Sequence, residues 1–176
     1  TDMMGMPKYD TPKVWVTGSN PALSVPGALR ALLALPGGDR DEGLREMLRA
    51  RELDPLSPSI VQALGWCYYQ ARRFDEAIAA HQSMLEGVPD FAYGLASYSW
   101  VLRHAGRPDE AVKVAEKALN SSSGGQFFVA ALGAAYAAAG RRSDARAALD
   151  RLHEMSANGY VSPYHQALIH VHLDQH

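Results

Sequence analysis

Residues 64–89 read LGWCYYQARRFDEAIAAHQSMLEGVP, and their reading decides the fold. Apolar residues recur at three- and four-residue steps on both sides of Arg72-Arg73. That spacing predicts two amphipathic helices joined by a short polar turn. Gly87 and Pro89 close the second helix, because glycine suits a helix C-terminus and proline cannot continue one. The pattern returns at a fixed step. Asp75-Glu76-Ala77 reappears as Asp109-Glu110-Ala111 and, one equal step later, as Ser143-Asp144-Ala145. Leu64, Tyr98 and Leu132 keep the step, as do Gly65, Ser99 and Gly133, and also Pro55 and Pro89. Self-similarity at this period implies a stacked array of helical hairpins. One hairpin cannot bury its apolar face alone, so neighbours supply the core.

The copy around this stretch starts with Ser57 as an N-cap and Pro58 in the first turn. Ile60, Val61, Leu64, Tyr68 and Ala71 mark the apolar face of its first helix, and Phe74, Ala77, Ile78, His81 and Leu85 that of its second. The next copy spans residues 92–119, with Gly106 as a helix stop, Pro108 at a first helical position and Asp109-Glu110 at the positive end of the helix dipole. After the NSSSGG linker, residues 128–139 and 143–155 form a further pair around Gly140. A last helix over residues 163–173 is capped by Ser162. Upstream, a weaker copy begins at Ser24. It has a short helix over residues 28–35, Pro36-Gly37-Gly38 as its stop, and a second helix to Leu53. Residues 1–23 do not fit the repeat. Their β-like Lys13-Val14-Trp15-Val16-Thr17 and turn-forming Gly18-Ser19-Asn20-Pro21 predict an extended arm lying on the helices. The expected architecture is all-α: a superhelix of stacked helix-turn-helix repeats over residues 24–176, with an irregular arm over residues 1–23.

Composition narrows the function. A net charge of −2 with both signs interspersed offers no basic stripe for nucleic acid or an anionic membrane. No apolar run reaches the roughly 18 to 20 residues of a membrane span, and the start lacks the basic and apolar regions of a signal peptide. The expectation is a cytoplasmic protein. Cys67 is the single cysteine, so an internal disulfide is excluded, and its place between Trp66 and Tyr68 predicts a buried, inert thiol.

These residues resemble the tetratricopeptide repeat, a 34-residue helix-turn-helix unit. The likeness covers residues 24–173 and is strongest over residues 53–119. Leu53-Asp54-Pro55-Leu56-Ser57-Pro58-Ser59-Ile60 with Ala63-Leu64-Gly65-Trp66, and Tyr160-Val161-Ser162-Pro163-Tyr164 with Ala167-Leu168-Ile169, resemble a bacterial subgroup. Its arrays often follow a DNA-binding, kinase or cyclase domain in signalling proteins. Departures lie at Arg142, where Phe74 and Pro108 stand in earlier copies, and at Arg30-Ala31, which replaces the bulky-small pair. The resemblance implies a right-handed superhelix whose first helices line a concave groove, with a protein-binding role. Carried over, the groove positions are Ser59, Gln62, Trp66, Tyr69 and Gln70, then Tyr93, Ala96, Trp100, Arg103 and His104, then Phe127, Ala130, Ala134, Ala137 and Ala138. Aromatics and arginine are enriched at binding hot spots. The candidate partner-binding residues are therefore Gln62, Trp66, Tyr69, Tyr93, Trp100, Arg103, His104 and Phe127. The alternative is that Trp66 and Trp100 are packed core, or lie under the N-terminal arm. A clamp for a peptide's terminal carboxylate is disfavoured, because Trp66, Trp100 and Ala134 stand where its first asparagine is needed.

Other constellations are weaker. His165, His170, His172 and His176 cluster near the end, but only His172 and His176 have the four-residue spacing of ligands on one helical face. Asp75-Glu76 and Asp109-Glu110 open helices and favour the dipole rather than acid-base work. No phosphate-binding glycine loop is present. The expected function is a scaffold that binds a protein or peptide in the aromatic groove, without catalysis, cofactor or metal. The alternative is a sensor portion of a larger signalling protein that holds a small apolar ligand there. Tyr164, Leu168 and Val171 on the unpaired last helix suggest a homodimer through that helix or a further segment to cover it.

Overall fold

The computed structural model describes residues 40–55 and 57–173. The arm expected over residues 1–23, the short helix over residues 28–35 and His176 lie outside them. The described chain forms α1 (Arg40–Leu53), α2 (Pro58–Gln70), α3 (Phe74–Gly87), α4 (Ala92–His104), α5 (Pro108–Asn120), α6 (Gln126–Ala138), α7 (Arg142–Asn158) and α8 (Pro163–Leu173). No strand occurs among the described residues. Helices α2 with α3, α4 with α5 and α6 with α7 are antiparallel pairs, flanked by α1 and α8. Each pair packs on the next, and the first helices α2, α4, α6 and α8 touch in succession. The fold is an α-α solenoid, with one continuous face made by the first helices.

Each pair turns in the same way, and the sequence shows why. The amide of Arg73 donates to the Tyr68 carbonyl (2.9 Å), that of Arg107 to Leu102 (2.9 Å) and that of Arg141 to Tyr136 (2.9 Å). The preceding amides, of Arg72, Gly106 and Gly140, donate to Tyr69, Arg103 and Ala137. This double closure is the Schellman motif, and it requires a left-handed residue just after the helix. Gly106 (φ 76°) and Gly140 (φ 72°) meet that need, whereas the same position in the first turn is Arg72 at φ 60°. The following arginine stacks on the preceding helix: the guanidinium of Arg73 lies 4.9 Å from the Tyr68 ring centroid, and that of Arg141 4.5 Å from Tyr136. It also pairs forward, Arg73 with Glu76 (2.7 Å), Arg107 with Glu110 (2.6 Å) and Arg141 with Asp144 (2.7 Å). These hydrogen bonds hold the Glu76 and Glu110 carboxyls below the ordinary carboxylate range.

Two local expectations change. Ser57 occupies the N-cap with extended backbone, but its side chain makes no capping hydrogen bond; Pro58 at the first helical position does fit. Helix α7 begins at Arg142 and runs to Asn158, beyond the expected end at Met155. Arg142 is exposed there, so the departure from the repeat pattern leaves the core untouched.

The central core joins Ala77 and Ile78 of α3, Tyr98, Val101 and Leu102 of α4, Ala111, Val112 and Ala115 of α5, and Leu132 and Ala135 of α6. A second core binds α6, α7 and α8 through Val129, Leu149, Leu152, Ile169 and Leu173. The fully buried ring of His81 lies over Gly65, where a Cβ would come 3.0 Å from its Nε2. Neither imidazole nitrogen has a hydrogen-bond partner among the described residues. Burial pushes the His81 imidazole down from 6.5 to about 4.

Two outcomes follow. Arg72→Gly should raise the stability measured by chemical denaturation by about 1 kcal/mol, since an L-residue in the left-handed region costs roughly 1–2 kcal/mol and glycine gives back part through chain entropy. Between pH 6.5 and 4 the unfolded chain binds the His81 proton more readily than the folded one. The stability from the neutral ring is therefore complete above pH 6.5 and is lost as pH falls to 4. The loss should be about 3 kcal/mol. Chemical denaturation across that range should show a drop that a folded His81→Leu variant lacks.

Candidate binding site

The repeat places equivalent side chains of successive first helices in rungs across one face. One rung reads Trp66, Trp100, Ala134 and Leu168, on α2, α4, α6 and α8 in turn. The indoles of Trp66 and Trp100 meet at 6.4 Å between centroids with planes tilted by 56°. At the third step the large ring is absent, and Ala134 is joined by Ala131 one turn earlier. The missing volume is a hollow of about 240 Å³, lined on one side by Trp66, Ala96, Ser97 and Trp100 and on the other by Phe127, Tyr164 and Leu168. Trp66 and Trp100 are half-buried, neither sealed within the core nor free in solvent.

Arg103 lines the same hollow. Its side chain is 8% exposed, and its guanidinium lies 4.6 Å from the Trp100 ring centroid. The indole face attracts the cation, which contributes about 1–2 kcal/mol when water is excluded. It does not satisfy the N–H donors in the guanidinium plane. Arg103 Nη1 and Trp100 Nε1 both lack a hydrogen-bond partner among the described residues. Burial pulls the Arg103 guanidinium down to about 10, so it remains charged at neutral pH.

A second, slightly smaller depression on this face is lined by Tyr69, Gln70, Arg72, Phe74 and His104. Tyr69 connects the two, with its ring 5.0 Å from Trp66 and 5.2 Å from His104. His104 stacks on Trp100 at 5.2 Å, and its Nδ1 lies 2.9 Å from the Trp100 carbonyl, which requires the tautomer with a proton on Nδ1. Burial lowers its titration below the ordinary histidine value; that carbonyl opposes the shift, and the positive charges of Arg103 and Arg72 add to it.

Of the sequence candidates, Trp66, Trp100, Arg103 and Phe127 meet in the hollow, and Tyr69 and His104 in the neighbouring depression. Gln62 lines neither of them; its Nε2 donates to the Ser97 hydroxyl at 3.0 Å, tying α2 to α4. Tyr93 stays exposed and stacks on Phe127 at 5.6 Å. Ala130 and Ala137, also carried over as groove positions, are buried in the core shared with α8. Tyr164 and Leu168 were read as an uncovered end face, yet both line the hollow. Their signal was in the numbering: Tyr164 continues the rung of Gln62, Ala96 and Ala130, and Leu168 that of the tryptophans. Helix α8 thus closes one side of the site, burying Ile169 and Leu173 and leaving Tyr164 and Val171 exposed.

Gln126 pins that helix. Its Nε2 donates to the Tyr160 carbonyl (3.1 Å), while its Oε1 accepts from the Ser162 amide (2.8 Å) and lies 2.9 Å from His165 Nδ1. His165 is thereby engaged in packing, and His172 lies 6.4 Å from His104. No group of three histidine, cysteine or acidic side chains poised for a metal exists among the described residues. Cys67 is buried, and burial pushes its thiol up to about 11, which disfavours the nucleophilic thiolate. No helix among the described residues is long and apolar enough to cross a membrane.

A family model described as tetratricopeptide repeat matches residues 29–90. A search of curated protein sequences found no match. Among solved structures, a crystal structure of MamA is 19% identical, with a TM-score of 0.62 over 74% of this chain and 79% of that one. A second MamA structure, in an AMB-1 P212121 crystal, is 21% identical, with a TM-score of 0.59 over 77% and 74%. PilW, titled a widely conserved type IV pilus biogenesis factor, is 23% identical with a TM-score of 0.63, over 71% of this chain and 58% of PilW. At these identities the likeness is one of fold.

Gln126→Ala removes three contacts that seat α8 at once. It should speed amide hydrogen exchange in α8 by about tenfold or more, equivalent to losing one or two hydrogen bonds, while amides of α4 and α5 stay protected.

Proposed function

We propose that this chain, which carries tetratricopeptide repeats, is a non-catalytic scaffold that binds a peptide segment of a partner protein on the face made by α2, α4, α6 and α8. The observation that carries the reading is the half-buried pair Trp66 and Trp100 opening onto the hollow at Ala134, with Arg103 buried beside them. Aromatic rings and arginine in a partly desolvated pocket are the groups that supply most binding energy when a partner seals them from water. The second depression beside Tyr69 and His104 extends the site along the same face, as an extended chain requires.

Shape favours this over the small-ligand alternative. Small-molecule sites commonly enclose roughly 300–1,000 Å³ and most of the ligand's surface. The hollow holds about 240 Å³ and adjoins a second depression on the same face, an arrangement that suits a chain better than a compact ligand. The reading also includes a cytoplasmic setting and protein rather than nucleic acid or lipid as partner, in keeping with the near-neutral, interspersed charge.

The test is affinity capture from cell extract with the wild-type chain and a Trp66→Ala, Trp100→Ala double variant. Proteins captured by the wild type should be depleted by at least about tenfold with a variant of unchanged helical circular dichroism, the scale of a lost hot spot. The same proteins captured equally by a folded double variant would remove this face as the binding site.

A further inference from the structure

The binding reading leaves the chemistry of the partner open, and the charges on the face answer it. Neither depression has an aspartate or glutamate among its lining residues, and each has an arginine: Arg103 in the hollow and Arg72 beside His104. The salt bridges of the described helices engage other arginines, at 73, 107 and 141, and a lysine at 117. Arg103 is more than nine-tenths buried, and no carboxylate among the described residues pairs with it. Its Nη1 and the neighbouring Trp100 Nε1 are both donors without an acceptor among the described residues. The wall contributed by Phe127, Ala131, Ala134 and Leu168 is apolar, and the other polar groups on the lining, Ser97, Ser99 and Tyr164, bear hydroxyls and no charge. A buried guanidinium stacked on an indole and lacking an acceptor in its plane is a preformed receptor for a carboxylate, which accepts two N–H bonds from such a fork.

We infer that the occupant is an internal acidic segment of a partner protein, seating a large apolar side chain against Ala131 and Ala134, one carboxylate on Arg103 and another facing Arg72 and His104. The inference rests on the reading of this face as a peptide site. Two cationic positions in separate depressions call for two carboxylates along an extended chain.

The test uses the whole chain and two blocked hexapeptides, acetyl-Asp-Glu-Leu-Phe-Glu-Asp-amide and its uncharged counterpart acetyl-Asn-Gln-Leu-Phe-Gln-Asn-amide. Binding is followed by tryptophan fluorescence and isothermal titration at low and high salt. The acidic peptide should bind at least about tenfold tighter than the neutral one at low salt, the scale of a charge-assisted hydrogen-bond pair. Arg103→Gln should erase most of that preference, weakening the acidic peptide far more than the neutral one, a pattern that general loss of packing would not produce. Should Arg103→Gln fail to fold, the acid-to-amide comparison on the wild-type chain still decides. Equal affinities, tighter binding of the neutral peptide, or no binding of the acidic one would each overturn the inference. Equal affinities would leave the peptide-binding face standing, and capture with the double tryptophan variant judges that face independently.

Discussion

Helices in this array meet where there is no room for a side chain. A Cβ at Gly65 would press on the His81 ring, and one at Gly133 would run into Ile169 of α8 and come 2.8 Å from the Ala148 Cβ of α7. Ala77, Ala111 and Ala145, fully buried at equivalent places on the second helices, leave the same narrow clearance. Such approaches seat a side chain of one helix against the bare backbone of its neighbour and let Leu64, Tyr98, Leu132 and their neighbours interlock around them. Interiors packed at this density admit little change in volume. Because the clearance recurs in each repeat, the rotation between pairs recurs too, and the first helices come into line on one face.

Close packing also traps two titratable side chains, besides the Trp100 indole, with hydrogen-bonding atoms that find no partner among the described residues. They resolve the problem differently. His81 sheds its proton, and the neutral ring then behaves as a flat apolar filler over Gly65 and against Tyr98, 5.7 Å away. Arg103 has no such escape, because a guanidinium keeps its charge at neutral pH even when burial weakens it. Its charge is held against the face of Trp100 instead. That contact serves the cation but not the N–H donors around its edge. The first residue is therefore an element of stability, and the second a group still able to interact.

The hollow has an equally simple origin. Trp66 and Trp100 set a scale of side-chain volume along their rung, and Ala134 falls short of it. Leu168 and Tyr164 on α8 then complete a wall instead of filling the gap. Helix α8 is held there by Ile169 and Leu173 in the core and by Gln126 bridging to Tyr160, Ser162 and His165. A single alanine, framed by an end helix, thus turns a packed rung into an open hollow.

The sequence alone determined what depends on local periodicity: two helices per repeat, the stops at Gly106 and Gly140, the small residues at the crossings, and the last helix over Pro163–Leu173. Each is a property of one turn or one face, and composition at fixed spacing suffices to specify it. Candidates such as Trp66, Trp100, Arg103 and Phe127 were legible for the same reason, as members of rungs. Only the tertiary structure decided that Gln62 bonds across to Ser97, that Tyr93 lies outside the hollow, and that Tyr164 and Leu168 line it. It also decided that Arg103 loses its water without gaining a carboxylate from the described residues. Burial and partnership depend on which helices lie alongside, and a pattern read along one chain counts residues but does not measure the space between them.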